Sequence, residues 1–153
     1  MKSEVRGQSS LEFLTVTGIG LLVISAAAIA FLSYAQTSGD DARLAQVTDI
    51  GISIIGQANY WYSVGGYSWG TVDVVMPDNV IDVYTVENNT LVFDVETRYG
   101  IVRQPVFSTT PIIGYTTTGN ISSIYSPAIG PHSGASKLRV TSLGSIVQIQ
   151  AVG

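Results

Sequence analysis

Residues 13–35 read FLTVTGIGLLVISAAAIAFLSYA, 23 positions without a charged side chain. Coiled as an α-helix at about 1.5 Å per residue, the run spans ~34 Å, enough to cross the roughly 30 Å hydrocarbon core of a bilayer. The heptapeptide MKSEVRG precedes it, with Lys2 and Arg6 against Glu4. Basic residues favour retention on the cytoplasmic side, so everything beyond Ala35 is expected to be exported. One residue fits this picture badly. Glu12 stands at the mouth of the run, and a carboxylate at the bilayer centre costs on the order of 3 kcal/mol. Such a group calls for a partner or a task.

Composition narrows the classes of function. Only 12% of residues are Asp, Glu, Lys or Arg, about half the usual share in globular proteins. The chain has no cysteine, which removes disulfides, thiolate metal sites and cysteine nucleophiles. With a net charge of −4 and its seven lysines and arginines scattered without a basic run, the chain has no phosphate-neutralising stretch, and no nucleic-acid partner is expected. His132, the single histidine, lies in a Gly/Pro-rich loop and reads as exposed. Asp78, Asp82, Glu87, Asp94 and Glu96 lack the spacing of a calcium loop and read as solvated positions on strands. There is no G-x-S-x-G, no H-E-x-x-H and no phosphate-binding glycine loop. No catalytic residue, metal site or cofactor is therefore expected.

The N-terminal run admits three readings. Ser33-Tyr34-Ala35 has the small-x-small form of a secretory cleavage site, which would leave a soluble chain starting at Gln36. The apolar run is, however, longer than the 7–15 residues of an ordinary signal core. A permanent single-span anchor fits the length, but gives Glu12 no role beyond reaching the interface. The third reading uses the border itself, RGQSSLEF at 6–13. It resembles the processing site of archaeal type IV pilins, the class III signal peptide, in which a short basic leader ends in glycine and the mature chain begins Q-x-S-x-E before an intact apolar helix. The matching residues are Gly7 before the cut, Gln8 as the new N-terminus, Ser10, and Glu12 at the fifth mature position. The family pattern often has leucine at the ninth mature position, where this chain has Val16, still apolar. The Gly-Ile-Gly that marks the related archaellins occurs here at 18–20, too deep in the helix to match.

That resemblance implies a leader of residues 1–7 removed by a prepilin peptidase, and a subunit that polymerises into an adhesion filament. It implies further partners in a pilus assembly platform and its ATPase. It also gives Glu12 a role, docking onto the free amine that cleavage creates at a neighbouring subunit's Gln8. Because Gln8 and Glu12 are one helical turn apart, a pair within one subunit is equally open. A carboxylate is tolerable in apolar surroundings when paired in this way.

Beyond Ala35 the texture changes twice. Leu44, Val47, Ile50 or Gly51, Ile54, Ala58 and Trp61 or Tyr62 recur at spacings of three and four, one amphipathic helical stripe over 40–62. Ser38-Gly39-Asp40 reads as a cap for a new helix or as a kink in one long helix of 8–62. From 63 to 153 short β-rich runs alternate with turn signals. Strands are expected at 71–76, 80–87, 90–98, 101–107, 120–125, 137–142 and 145–151, with a hairpin turn at Asn88-Asn89. Ser108–Thr118 reads as a polar loop, rich enough in hydroxyls to carry O-linked sugars. Trp61, Trp69, Tyr60, Tyr62 and Tyr67 read as an aromatic cluster between helix and strands. The expected fold is thus α+β: a long N-terminal helix, apolar over 13–35, then a small antiparallel β-sandwich or barrel head. Asn88-Asn89-Thr90 and Asn120-Ile121-Ser122 are acceptor motifs for N-glycosylation and sit beside expected turns on the exported side.

Overall fold

The computed structural model describes residues 4–125 and 133–152, with side chains from Ser10 onward. His132 lies outside the described residues. A single helix, α1, runs Glu4–Val64. Nine strands follow among the described residues: β1 Trp69–Met76, β2 Val80–Val86, β3 Thr90–Thr97, β4 Gly100–Phe107, β5 Ile112–Ile113, β6 Thr116–Thr118, β7 Ile121–Ser123, β8 Gly134–Ser142 and β9 Val147–Ala151. The architecture is α+β, with a long apolar N-terminal helix and a small β-rich head.

Helical structure passes through Ser38, Gly39 and Asp40 without interruption, so these residues do not cap a second helix. A cap contributes about 1 kcal/mol, whereas a break would strand several main-chain groups on each side. Asp40 is used differently: its Oδ2 accepts from the Arg98 main-chain N–H at 3.3 Å, and its Oδ1 lies 3.9 Å from Arg43. The chain divides into two compact units, Met1–Gly39 and Asp40–Gly153. The amphipathic half of α1 therefore belongs with the strands.

In the second unit the strands form two sheets, one ordered β1-β8-β9-β5 and the other β4-β3-β2-β7-β6. All pairings are antiparallel except β5 with β9, which is parallel. The head is thus mixed, departing from the purely antiparallel expectation at one short edge. The two unforeseen strands, β5 and β6, fall inside the stretch read as a polar loop. Thr116, Thr117 and Thr118 are all exposed, so no alternation betrays β6. Its β-branched side chains suit an edge strand.

Both sheets and α1 contribute to one core. Val47, Ile54, Ile55 and Ala58 of α1 meet Leu91, Phe93 and Val95 of β3, and Leu138, Val140 and Ile149 of β8 and β9. The stripe read from the sequence is the one that is buried. Gly51 permits the closest approach, since a Cβ there would lie 2.6 Å from Val106 Cγ2 and 3.0 Å from the Phe93 ring. Hydrogen bonds reinforce the seam: Gln104 Nε2 donates to Thr48 Oγ1 at 3.1 Å, and Thr110 Oγ1 donates to Asn59 Oδ1 at 2.8 Å.

The β2–β3 hairpin forms as expected, shifted by one residue at its tip. The left-handed positions are Glu87 and Asn88, with φ of 53° and 59°, and the Asn89 N–H returns to the Val86 carbonyl. The aromatic residues do not form one cluster. Trp61 and Tyr62 pack against the core, and Tyr60 meets Trp61 edge to face at 5.0 Å. Trp69 and Tyr67 instead point outward, 55% and 88% exposed. The pleat explains Trp69: Val72, Val74 and Met76 take the inner face of β1, leaving Trp69 on the outer face, under the Arg139 guanidinium at 4.8 Å.

Two consequences are measurable. A Cβ at Gly114 would come within 2.6 Å of the Ser123 carbonyl carbon, a main-chain group that cannot swing aside. Gly114→Ala is expected to lower the thermal midpoint of the head by roughly 5–15 °C, read as loss of β-sheet circular dichroism. An unchanged midpoint would contradict the close approach. Second, burial raises the phenol pKa of Tyr84, with Asp94 adding to the effect, and burial raises that of Tyr125. A group whose pKa is raised on folding contributes stability below its unfolded value that is lost as pH climbs through the folded one. Head stability should hold up to the ordinary tyrosine value of 10.0 and decline above it. Tyr125→Phe should blunt that alkaline decline in pH-dependent melts; an equally steep decline would oppose it.

Candidate functional site

The feature without a partner inside the fold is the apolar half of α1. Among the described residues α1 is the one helix long and apolar enough to cross a membrane, and none of its most apolar eighteen-residue window is buried. Leu14, Leu22 and Phe31 are 65%, 71% and 69% exposed. Every face of the segment is apolar, so no single stripe is reserved for a core. A helix apolar all round is stable only when something covers it.

Three hydroxyl side chains along this half of α1 are accommodated locally. Thr15 Oγ1 donates to the Leu11 carbonyl at 2.8 Å, Ser25 Oγ to Leu21 at 2.8 Å, and Thr37 Oγ1 to Ser33 at 3.0 Å. These bonds satisfy hydroxyl donors that lipid or an apolar neighbour could not. Glu12 is a separate case. Its side chain is exposed, and no lysine or arginine occurs between Ser10 and Gly39. Within its own unit, the basic residues are confined to the N-terminal region, whose side chains are not described. Gly7 and Gln8 lie in the first turns of α1, described as backbone alone.

On the head, Asn88 and Asn120 are both exposed, Asn88 at the β2–β3 turn and Asn120 just before β7. The strand carboxylates have ordinary surface surroundings. Asp94 takes a hydrogen bond from Tyr84 Oη at 3.1 Å and lies 3.7 Å from Arg103 Nε, while Asp82 accepts from the Val83 N–H. Among the described residues no three His, Cys, Asp or Glu side chains gather as metal ligands. Sequence reading missed the outer face of β1 and β8, where Asp73 pairs with Lys137 at 3.6 Å beside the Trp69–Arg139 contact. Only the register Trp69↔Thr141 to Met76↔Gly134 brings those side chains together.

Comparison of the chain with protein-family models, with curated proteins and with solved structures returns no match.

Proposed function

We propose that the protein is the structural subunit of an archaeal type IV adhesion pilus. In this reading it is processed between Gly7 and Gln8 and polymerises through its N-terminal helix. The observation that carries the reading is a conjunction. The segment from Phe13 to Ala35 is bare on all sides within its own fold, and RGQSSLEF stands directly before it. A helix of this kind can exchange lipid for matching helices of neighbouring copies without exposing apolar surface to water. Head-to-tail repetition of one such contact generates an open polymer. The precursor would be a single-pass membrane protein and the product a filament on the cell surface. Its partners would be other subunits, the prepilin peptidase and, indirectly, the assembly platform and ATPase. Function would reside in assembly, with no enzymatic chemistry.

A second reading, a membrane-anchored head that never polymerises, is favoured by the same bare helix but gives Glu12 no role beyond reaching the interface. The mass of the N-terminal peptide of protein recovered from cells separates them. A mature chain starting at Gln8 is the expected result. An intact N-terminus would favour the anchor, and a start at Gln36 would mean an ordinary secreted domain; either defeats the pilin reading. A pyroglutamate at Gln8 would keep the cleavage but remove the amine proposed to pair with Glu12.

A further inference from the structure

The two glycosylation motifs are 32 residues apart in sequence, Asn88 to Asn120, yet the fold sets them at the same end of one sheet. Val86 pairs with Ile121 across β2 and β7, and the Glu87 N–H donates to the Asn120 carbonyl at 3.0 Å. The chain after β4 closes on the same place: Ser108 N–H donates to the Asn89 carbonyl and Ile112 N–H to the Asn88 carbonyl, both at 2.7 Å. Both asparagine side chains stand in solvent. The hydroxyl two residues on, which a glycosyltransferase must also engage, differs sharply between them. Thr90 Oγ1 is at the surface, donating to Asn89 Oδ1 at 2.8 Å. Ser122 is 2% exposed and its Oγ is bonded to Thr117 Oγ1 at 3.1 Å. Its carbonyl meanwhile faces Thr85 Oγ1, and β7 is held between β2 and β6.

We infer that this end of the sheet is a single glycan-bearing surface, filled in a fixed order: Asn120 before β7 docks, and Asn88 at any time, including on the folded head. The inference rests on the exported position of the head in the reading above, and does not depend on polymerisation. In the transfer, the asparagine Nδ2 attacks the anomeric carbon of a lipid-phosphate-linked oligosaccharide. The N–C bond forms as the C–O bond to phosphate breaks, the lipid phosphate departs with the electron pair, and the amide proton passes to a base of the transferase. Once the head has folded, modification of Asn120 would need β7 to lift from both neighbours, and it would be slowed by that opening equilibrium.

The test compares two schedules in cells that own such a transferase. In one, the lipid-linked donor is present throughout synthesis. In the other, the full-length chain is made in donor-depleted cells, synthesis is stopped, and the donor is then restored. Glycopeptide mass spectrometry reads occupancy at each site, and the same digest reads the N-terminal peptide. The expected result is both sites filled on the first schedule. On the second, Asn88 should fill while Asn120 remains at least about tenfold less occupied. Equal filling of Asn120 after folding, failure of Asn88 to fill after folding, or either site empty on the first schedule would overturn the inference. An N-terminus other than Gln8 alongside the expected glycan pattern would defeat the pilin reading and leave this one standing.

Discussion

Glu12→Ala should reduce filament recovery from the cell surface by about 100-fold or more, with the mature N-terminus still at Gln8. The reason is the cost of an uncompensated charge. Removing one partner of a buried pair costs about 3–5 kcal/mol, and every 1.4 kcal/mol is tenfold in an equilibrium. In the proposed assembly, that penalty applied at each addition of a subunit would leave the processed chain stranded in the membrane. Glu12→Gln keeps the shape and one acceptor but loses the charge, and it should fall between the two. Sheared surface fractions and membrane fractions, probed for the protein, supply the readout. Normal filament yield in the alanine variant would dispose of the docking role for this carboxylate. Loss of cleavage in the same variant would show that Glu12 serves the peptidase instead.

The second large effect is expected in the head. Phe93 is fully buried on β3, in the central part of its sheet, and its ring lies against the α1 position opened by Gly51. Phe93→Ala should destabilise the head by about 3–5 kcal/mol. Chemical denaturation followed by tryptophan fluorescence suits this test, because Trp61 packs on the same core. A loss below about 1 kcal/mol would mean that the seam between half-helix and sheet is not the head's main anchor. Because the affected unit begins at Asp40, the helical signal of the apolar segment should persist in detergent while the head melts.

Much of this architecture was legible in the residues, and the reasons are physical. The stripe from Leu44 to Tyr62 could be read because helical periodicity and burial coincide there. The β2–β3 hairpin could be read because buried positions alternate along β2 and Asn88 at its tip accepts positive φ; its one-residue shift could not, because Glu87 takes the other left-handed position. What escaped notice was set by non-local pairing. Thr116–Thr118 form a strand because β7 is beside them, and Ile112–Ile113 because β9 is; neither carries a pattern of its own. Trp69 was misplaced because an aromatic near a helix end suggests core until the pleat of β1 is known. The junction at Gly39-Asp40 is where the two units divide, but Ser38-Gly39-Asp40 does not cap a second helix, because capping propensity is local while helix continuity is decided by all the hydrogen bonds around it. The apolar segment and Glu12 were visible from the first reading. Which group balances that carboxylate was not, since Lys2 and Arg6 stand upstream in the leader that the pilin resemblance would remove, and no lysine or arginine follows Glu12 before Arg43.

The order of strands in the smaller sheet has a consequence for timing. In the other sheet, β2, β3 and β4 are consecutive and pair as neighbouring hairpins, so they can zip as soon as they emerge. β1 has no such option: Trp69 must wait for Thr141, and β8 is in turn flanked by β9. Contacts spanning so much sequence form late, because closing the loop costs entropy before any pairing repays it. A head delivered across a membrane from its N-terminal side would therefore stay half-made until residues 134–151 arrive. The open edge of β8's future neighbour is meanwhile a place where a chaperone, or a second unfinished head, could bind.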